Sequence, residues 1–294
     1  MKGIVLAGGL GTRLDPLTRV TNKHLLPVYD RPMIFYPIQK LVQAGIEDIL
    51  VVTGGNHAGE FLRLLGNGRE FGLKHLNYTY QEGEGGIAEA LGLAEHFADG
   101  GPVVVVLGDN IFSASIAGPV ARFREDPRGA RLLLKEVPDP ERFGVAELDG
   151  DRVVAIHEKP ESPPSRFVVT GVYMYDQRAF DVIRTLEPSR RNELEITDVN
   201  NRYIGWGDLR YEILEGWWTD AGTIESLYRA SGLVAADATG DPAASPAAGP
   251  AASPAASPAS SPASSPTSSP ASGPASSPAS SPAAGPGQEG GGVG

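Results

Sequence analysis

Cysteine is absent from all 294 residues, which excludes disulfides, thiolate metal sites and a cysteine nucleophile, and fits a reducing compartment. No run of about 18 apolar residues occurs, and the first residues enter a strand pattern without a signal-type apolar stretch. A cytoplasmic protein with no membrane partner is expected. Basic charge is also in deficit, since 25 Lys and Arg face 36 Asp and Glu, a formal net charge of −11. A general nucleic-acid binder needs a basic face to displace counterions, so nucleic acid is excluded as a partner. The histidines are scattered without the H-x-x-x-H spacing that would hold zinc, and no Gly-x-Ser-x-Gly elbow presents a serine nucleophile.

Large side chains vanish from the C-terminal fifth. From Pro242 to Pro286 a proline falls at every fourth position, with only Ala, Ser, Gly and one Thr between. Such a segment cannot bury enough apolar surface to offset the entropy of ordering it. A disordered, partly polyproline-like Pro/Ala/Ser tail over 239–294 is expected. Residues 1–238 are enough for one α/β domain with a substantial core, read as two halves of about 1–128 and 129–238.

What is present begins at the N-terminus. The apolar run Gly3 to Ala7 breaks into Gly8-Gly9-Leu10-Gly11-Thr12-Arg13-Leu14. A strand that delivers a glycine-dense loop ending in arginine suits an anion, because glycine lets backbone N–H groups approach a phosphate unobstructed. Neither G-x-G-x-x-G nor the P-loop pattern fits, and a tight connection is the plain alternative. Cations gather just downstream: Arg13, Arg19, Lys23 and Arg31 stand against Asp15 and Asp30, which favours phosphate contact over a merely solvated basic stretch.

β-Branched runs at 48–53, 76–81 and 102–107 alternate with helix-period segments at 33–44, 57–65 and 87–97, which predicts βαβ units around a parallel sheet apolar on both faces. After about Gly129 strands follow one another, over 131–137, 144–148, 152–158 and 167–175, with a hairpin signal at Asp149-Gly150. Helical patterns return at 177–186, 195–203 and 223–235. This second half reads as a β-rich insertion laid over the first.

Two carboxylates stand at element ends. Asp109 closes the most apolar strand, and Asp220 precedes the last helix. They could share one Mg²⁺, which prefers oxygen ligands and takes one or two carboxylates plus phosphates and water; a turn role for Asp109 and a helix N-cap for Asp220 are the plain alternatives. Glu158-Lys159-Pro160 ends another strand, where Glu158 could bind a polyol and Lys159 a phosphate, or the two could form a surface ion pair.

The glycine loop with Asn22-Lys23-His24-Leu25-Leu26-Pro27-Val28 resembles the signature of the sugar-nucleotidyltransferase family. The motifs Leu107-Gly108-Asp109-Asn110, Asp139-Pro140-Glu141-Arg142-Phe143-Gly144-Val145, Glu158-Lys159-Pro160, Val169-Thr170-Gly171-Val172-Tyr173, Glu193 to Asp198 and Trp218-Thr219-Asp220-Ala221-Gly222-Thr223 extend the similarity from Met1 to about Ala236. The resemblance implies a Rossmann-like three-layer α/β/α nucleotidyltransferase fold with a largely parallel central sheet and a sugar-binding β-rich insertion. It implies Mg²⁺-dependent thymidylyl transfer from dTTP to α-D-glucose 1-phosphate by in-line attack, without a covalent enzyme intermediate. By position, Gly8, Gly9, Gly11 and Thr12 would hold the nucleotide, with Arg13 and Lys23 on its phosphates. Gln81 would read the pyrimidine and Gly86 would give the base room. Asp109 and Asp220 would bind the metal. Gly144, Glu158 and Val169 would line the sugar, and Lys159 and Arg191 would hold its phosphate. UTP or another hexose 1-phosphate remains an alternative pair, and a catalytically inactive nucleotide-sugar sensor or scaffold is an alternative of another class. The chain resembles the short form of the family, with Asn192 where relatives often carry glycine, which leaves open both a separate feedback site and a homo-oligomer.

Overall fold

The computed structural model describes residues 1–240; the repeat segment from 241 onward lies outside the described residues. Nine strands form the main sheet: β1 (Lys2–Ala7), β2 (Asp48–Gly54), β3 (His75–Gln81), β4 (Val103–Leu107), β5 (Ala130–Glu136), β6 (Gly144–Asp149), β7 (Arg152–Glu158), β8 (Phe167–Tyr175) and β9 (Leu209–Ile213). Along it the order is β7-β6-β8-β4-β1-β2-β3, with β5 and β9 continuing from the other edge of β8. The strands β3, β2, β1 and β4 are parallel. β8 then runs antiparallel to β4, β5 and β6, while β9 lies parallel to β5.

Two-residue periodicity decides which core each side chain joins. In β1, Ile4 and Leu6 enter one cluster while Val5 and Ala7 enter the other; in β4, Val103 and Val105 part from Val104 and Val106 in the same way. Helices cover both faces. Ile38 and Leu41 of helix Phe35–Gln43, Phe61 of Ala58–Leu65 and Val120 of Ala117–Glu125 close one side. Leu91 of Ile87–Gly92, Phe180 of Arg178–Ile183 and Val199 of Ile196–Gly205 close the other. Each such buried side chain stabilises the fold by roughly 1.5–3 kcal/mol. The result is a three-layer α/β/α body.

Several local expectations shift. The helix expected over 87–97 divides into Ile87–Gly92 and Glu95–Ala98. The final helix runs further than expected, Ile224–Thr239, and its N-cap is Thr223, whose side chain accepts from Ser226 N while Ser226 Oγ accepts from Thr223 N. Asp220 is therefore not the cap. The second half is also not a layer over the first: Val172 to Tyr175 of β8 pair directly with Val103 to Val106 of β4, so one sheet runs through both halves.

Candidate active site

At the carboxyl ends of the parallel strands lies a cleft of about 770 Å³. Its walls contain every residue to which the resemblance gives a role; of the cations gathered after the glycine loop, Arg19 and Arg31 lie outside it, paired with Asp15 and Asp30. Gly8, Gly9, Gly11, Thr12, Arg13, Lys23, Gln81, Gly86 and Asp109 come from the first half, and Gly144, Glu158, Lys159, Val169, Arg191 and Asp220 from the second.

The glycine loop leaves β1 and must stay close to its neighbours. A Cβ at Gly8 would lie 2.6 Å from Gln81 Oε1, and Gly11, at φ +66°, caps the single turn Thr12–Leu14 that carries Arg13. Arg13 is exposed and makes no hydrogen bond or ion pair with the other described residues, so its charge faces the cleft unpaired. Leu10 N donates to Glu84 Oε1 at 3.0 Å, a carboxylate already held by the loop's backbone.

Asp109 sits where β4 ends. Its Oδ2 accepts from Lys23 Nζ at 2.5 Å and its Oδ1 from Asn110 Nδ2 at 3.0 Å. Burial opposes ionisation here, but the charge of Lys23 and its hydrogen bond outweigh it and hold the Asp109 carboxyl well below the ordinary range. Asn110 is itself pinned, because its Oδ1 accepts from Gly171 N at 3.1 Å and Trp218 Nε1 at 2.7 Å. His24, next to Lys23, is fully buried; desolvation first, then Lys23, press its pKa down to about 3, so it stays neutral beside the site.

Asp220 reaches Asp109 through a two-stranded ribbon. Trp218–Asp220 pairs antiparallel with Asn110–Phe112, setting Asp220 opposite Asn110, and Ala221 N donates to the Asp109 carbonyl at 2.8 Å. Burial and the Asp109 charge raise the Asp220 pKa, against opposition from Arg142, Arg13 and Arg229. Its Oδ1 is buried with no hydrogen-bond partner; the nearest cation is Arg142 Nη2 at 3.6 Å. Arg142, part of a motif quoted from the sequence but given no role there, also donates to Asp139 Oδ2 at 2.7 Å.

Across the cleft, Glu158 accepts from Arg191 Nη2 at 3.1 Å and Thr197 Oγ1 at 2.9 Å. Arg191 also donates to both oxygens of Glu195, so its charge is met by carboxylates within its own loop. Lys159 stands at φ +45°, a left-handed conformation unusual for a side chain of its size, and Lys159 N donates to the Phe143 carbonyl at 2.9 Å. The nearest acidic group to its ammonium is Glu158 at 3.6 Å.

The architecture, an anion-suited glycine loop facing a second, polar wall across paired carboxylates, defines a nucleotide-handling enzyme cleft. The model of the family described as nucleotidyl transferase matches residues 2–237, and the chain belongs to that family. Among its relatives is a glucose-1-phosphate thymidylyltransferase of Neisseria gonorrhoeae, 47% identical over 238 residues, covering 80% of this chain and 82% of that protein. A solved Bacillus anthracis protein, provisionally assigned as a glucose-1-phosphate thymidylyltransferase and crystallised with sucrose, is 52% identical. It superposes with a TM-score of 0.76 over 79% of this chain and 94% of that one. A UDP-glucose pyrophosphorylase bound to UDP-glucose, 22% identical with a TM-score of 0.70 over 80% of this chain and 98% of that one, shares the fold.

Proposed function

We propose that this chain transfers a thymidylyl group from dTTP to α-D-glucose 1-phosphate, releasing pyrophosphate and forming dTDP-glucose. The observation that supports the reading is the ribbon pairing of Asp220 with Asn110, which brings Asp220 to the Asp109–Asn110 turn in a cleft also lined by the glycine loop, Glu158 and Lys159. An oxygen of the sugar phosphate attacks the α-phosphorus, the new O–P bond forms as the bond to the β-phosphate oxygen breaks, and pyrophosphate leaves with that electron pair. No protein nucleophile is needed, so catalysis consists of positioning and charge compensation.

The donor set fits a hard cation. The buried Asp220 Oδ1 has no hydrogen-bond partner, and the charge of a second carboxylate, Asp109, acts on it. Asp109 and Asp220 would hold Mg²⁺, which when bound supplies positive charge at the phosphate oxygens. Arg13, exposed in the cleft, would compensate the triphosphate, and Lys23 holds Asp109 ionised. Lys159 would hold the single phosphate of the sugar, and Arg191, whose charge is met by Glu195 and Glu158, would assist it. Glu158, held by Thr197 and Arg191, keeps acceptor oxygens toward a sugar hydroxyl.

Pyrophosphate release measured with dTTP, dUTP, UTP, dCTP, ATP and GTP, each against several hexose 1-phosphates, tests the assignment. The expected outcome is the highest kcat/KM for dTTP with glucose 1-phosphate. Thymine and uracil differ by a methyl, so dUTP should trail by about 10–200-fold; UTP, which also carries a 2′-hydroxyl, tests the sugar ring in addition. Binding of dTTP with Mg²⁺ but no product from any pair would reject the enzyme reading in favour of a sensor.

A further inference from the structure

Beyond the end of β3, Glu89 contacts a residue of the cleft in a way that does more than carry charge. Gln81 ends β3 and is 4% exposed. Its Nε2 donates to the Gly86 carbonyl at 3.1 Å and to Glu89 Oε2 at 2.6 Å. A primary amide has two N–H donors on one side and an acceptor oxygen on the other. Both partners of Nε2 are acceptors only. Turning the amide over would set Oε1 against a carbonyl and a carboxylate, so this arrangement permits one flip. Oε1 is thereby directed to Gly8, in the cleft, where only the missing Cβ of glycine leaves it room.

We propose that Glu89 is the positioning residue that sets base preference, by fixing the Gln81 amide with its oxygen toward the nucleotide. This rests on the reading that Gln81 faces the base of the nucleotide. An acceptor there pairs with the N3–H of a thymine or uracil ring and meets the N3 lone pair of cytosine unfavourably. A site built to hydrogen-bond one pattern rejects the other strongly, because the mismatched buried group is left unpaired.

The surrounding backbone holds Glu89 in range. Gly85 O accepts from Leu194 N at 2.8 Å and Ala88 N donates to Leu194 O at 3.1 Å, which fastens both ends of the turn before the helix Ile87–Gly92. A Cβ on Gly85 would fall 2.2 Å from the Glu89 carboxylate. The end of a flexible side chain would yield there, so Gly85→Ala displaces the carboxylate without touching either partner's chemistry.

The test measures kcat/KM for dTTP and dCTP with saturating glucose 1-phosphate and Mg²⁺, using the full-length protein. Relative to wild type, the dTTP/dCTP ratio should stay within about threefold in Glu89→Gln, whose carbonyl can still accept. It should fall about threefold or more in Glu89→Ala and Gly85→Ala, and about tenfold or more in Glu89→Lys, whose ammonium attracts Oε1 and turns the amide. The KM for glucose 1-phosphate should not move. An unchanged ratio in Glu89→Ala and Gly85→Ala overturns the proposal, as does an equal loss for both nucleotides; these two variants decide the matter if Glu89→Lys does not fold. Gln81→Ala separates the two levels. If it lowers the ratio while the Glu89 variants do not, positioning alone fails; if it too leaves the ratio unchanged, the placement of Gln81 on the base fails with it.

Discussion

Asp109 and Asp220 are the same amino acid in neighbouring positions, yet their surroundings push them apart. Lys23 holds the first ionised, whereas burial and the first aspartate disfavour ionisation of the second. For a carboxyl with a raised folded pKa, the folded state binds more protons, so stability falls as pH rises from the unfolded toward the folded pKa. Asp220→Asn should therefore raise the thermal midpoint at pH 7 while lowering turnover by about 100-fold or more. Asp109→Asn should lower turnover equally but cost about 1.5–3 kcal/mol in urea denaturation, because it leaves the Lys23 ammonium without its carboxylate. Matching stability changes in the two variants would contradict the contrast. Arg142 lies at this scale too. Its motif was visible in the sequence, but its approach to Asp220 joins positions far apart in the chain and could not be seen there.

At the scale of elements, apolar strands were legible, whereas the half-buried β9, equal in length to β4, and the three-residue ribbon strands were not. The runs at 48–53 and 102–107 carry enough apolar residues to declare themselves, and they became β2 and β4. The ribbon strands Asn110–Phe112 and Trp218–Asp220 have three residues each, too few to show a period, yet they decide where the carboxylates meet. The last helix starts immediately after this ribbon. Its Thr223–Ser226 capping box satisfies the first turn, and Thr223→Ala should cost about 0.5–2 kcal/mol by denaturant titration. Turnover should fall along with it, since the same turn leads out of Asp220; a loss of stability with undiminished turnover would show that the cap and the carboxylate are independent.

For the whole molecule, the consequence of one shared sheet is that neither half closes its own core. Without β8, strand β4 would present an open apolar edge from Val103 to Val106, and Met174 and Val172 would leave the core they share with Val104 and Val106. Residues 1–128 expressed alone should show no cooperative thermal unfolding, whereas 1–240 should; a sharp transition in the shorter piece would mean that the halves fold separately. The cleft draws on the same continuity, because Gln81, Gly144, Glu158 and Val169 in its walls all come from strands of one sheet.

The amino-acid sequence by itself determined the alternating α/β order, the glycine loop after the first strand and the chemical types gathered at strand ends. These depend on local periodicity and on backbone freedom at single residues, both written into neighbouring positions. Only the tertiary structure decided the pairing partners: the antiparallel seam of β8 on β4, the ribbon joining Asp220 to Asn110, and the acid that orients Gln81. Along the chain Glu89 is one residue of a helix-period segment and Arg142 one residue of a motif, and neither carries a role there. Their roles arise from contacts closed by folding, where burial removes water and leaves each polar atom only the partners that packing brings to it.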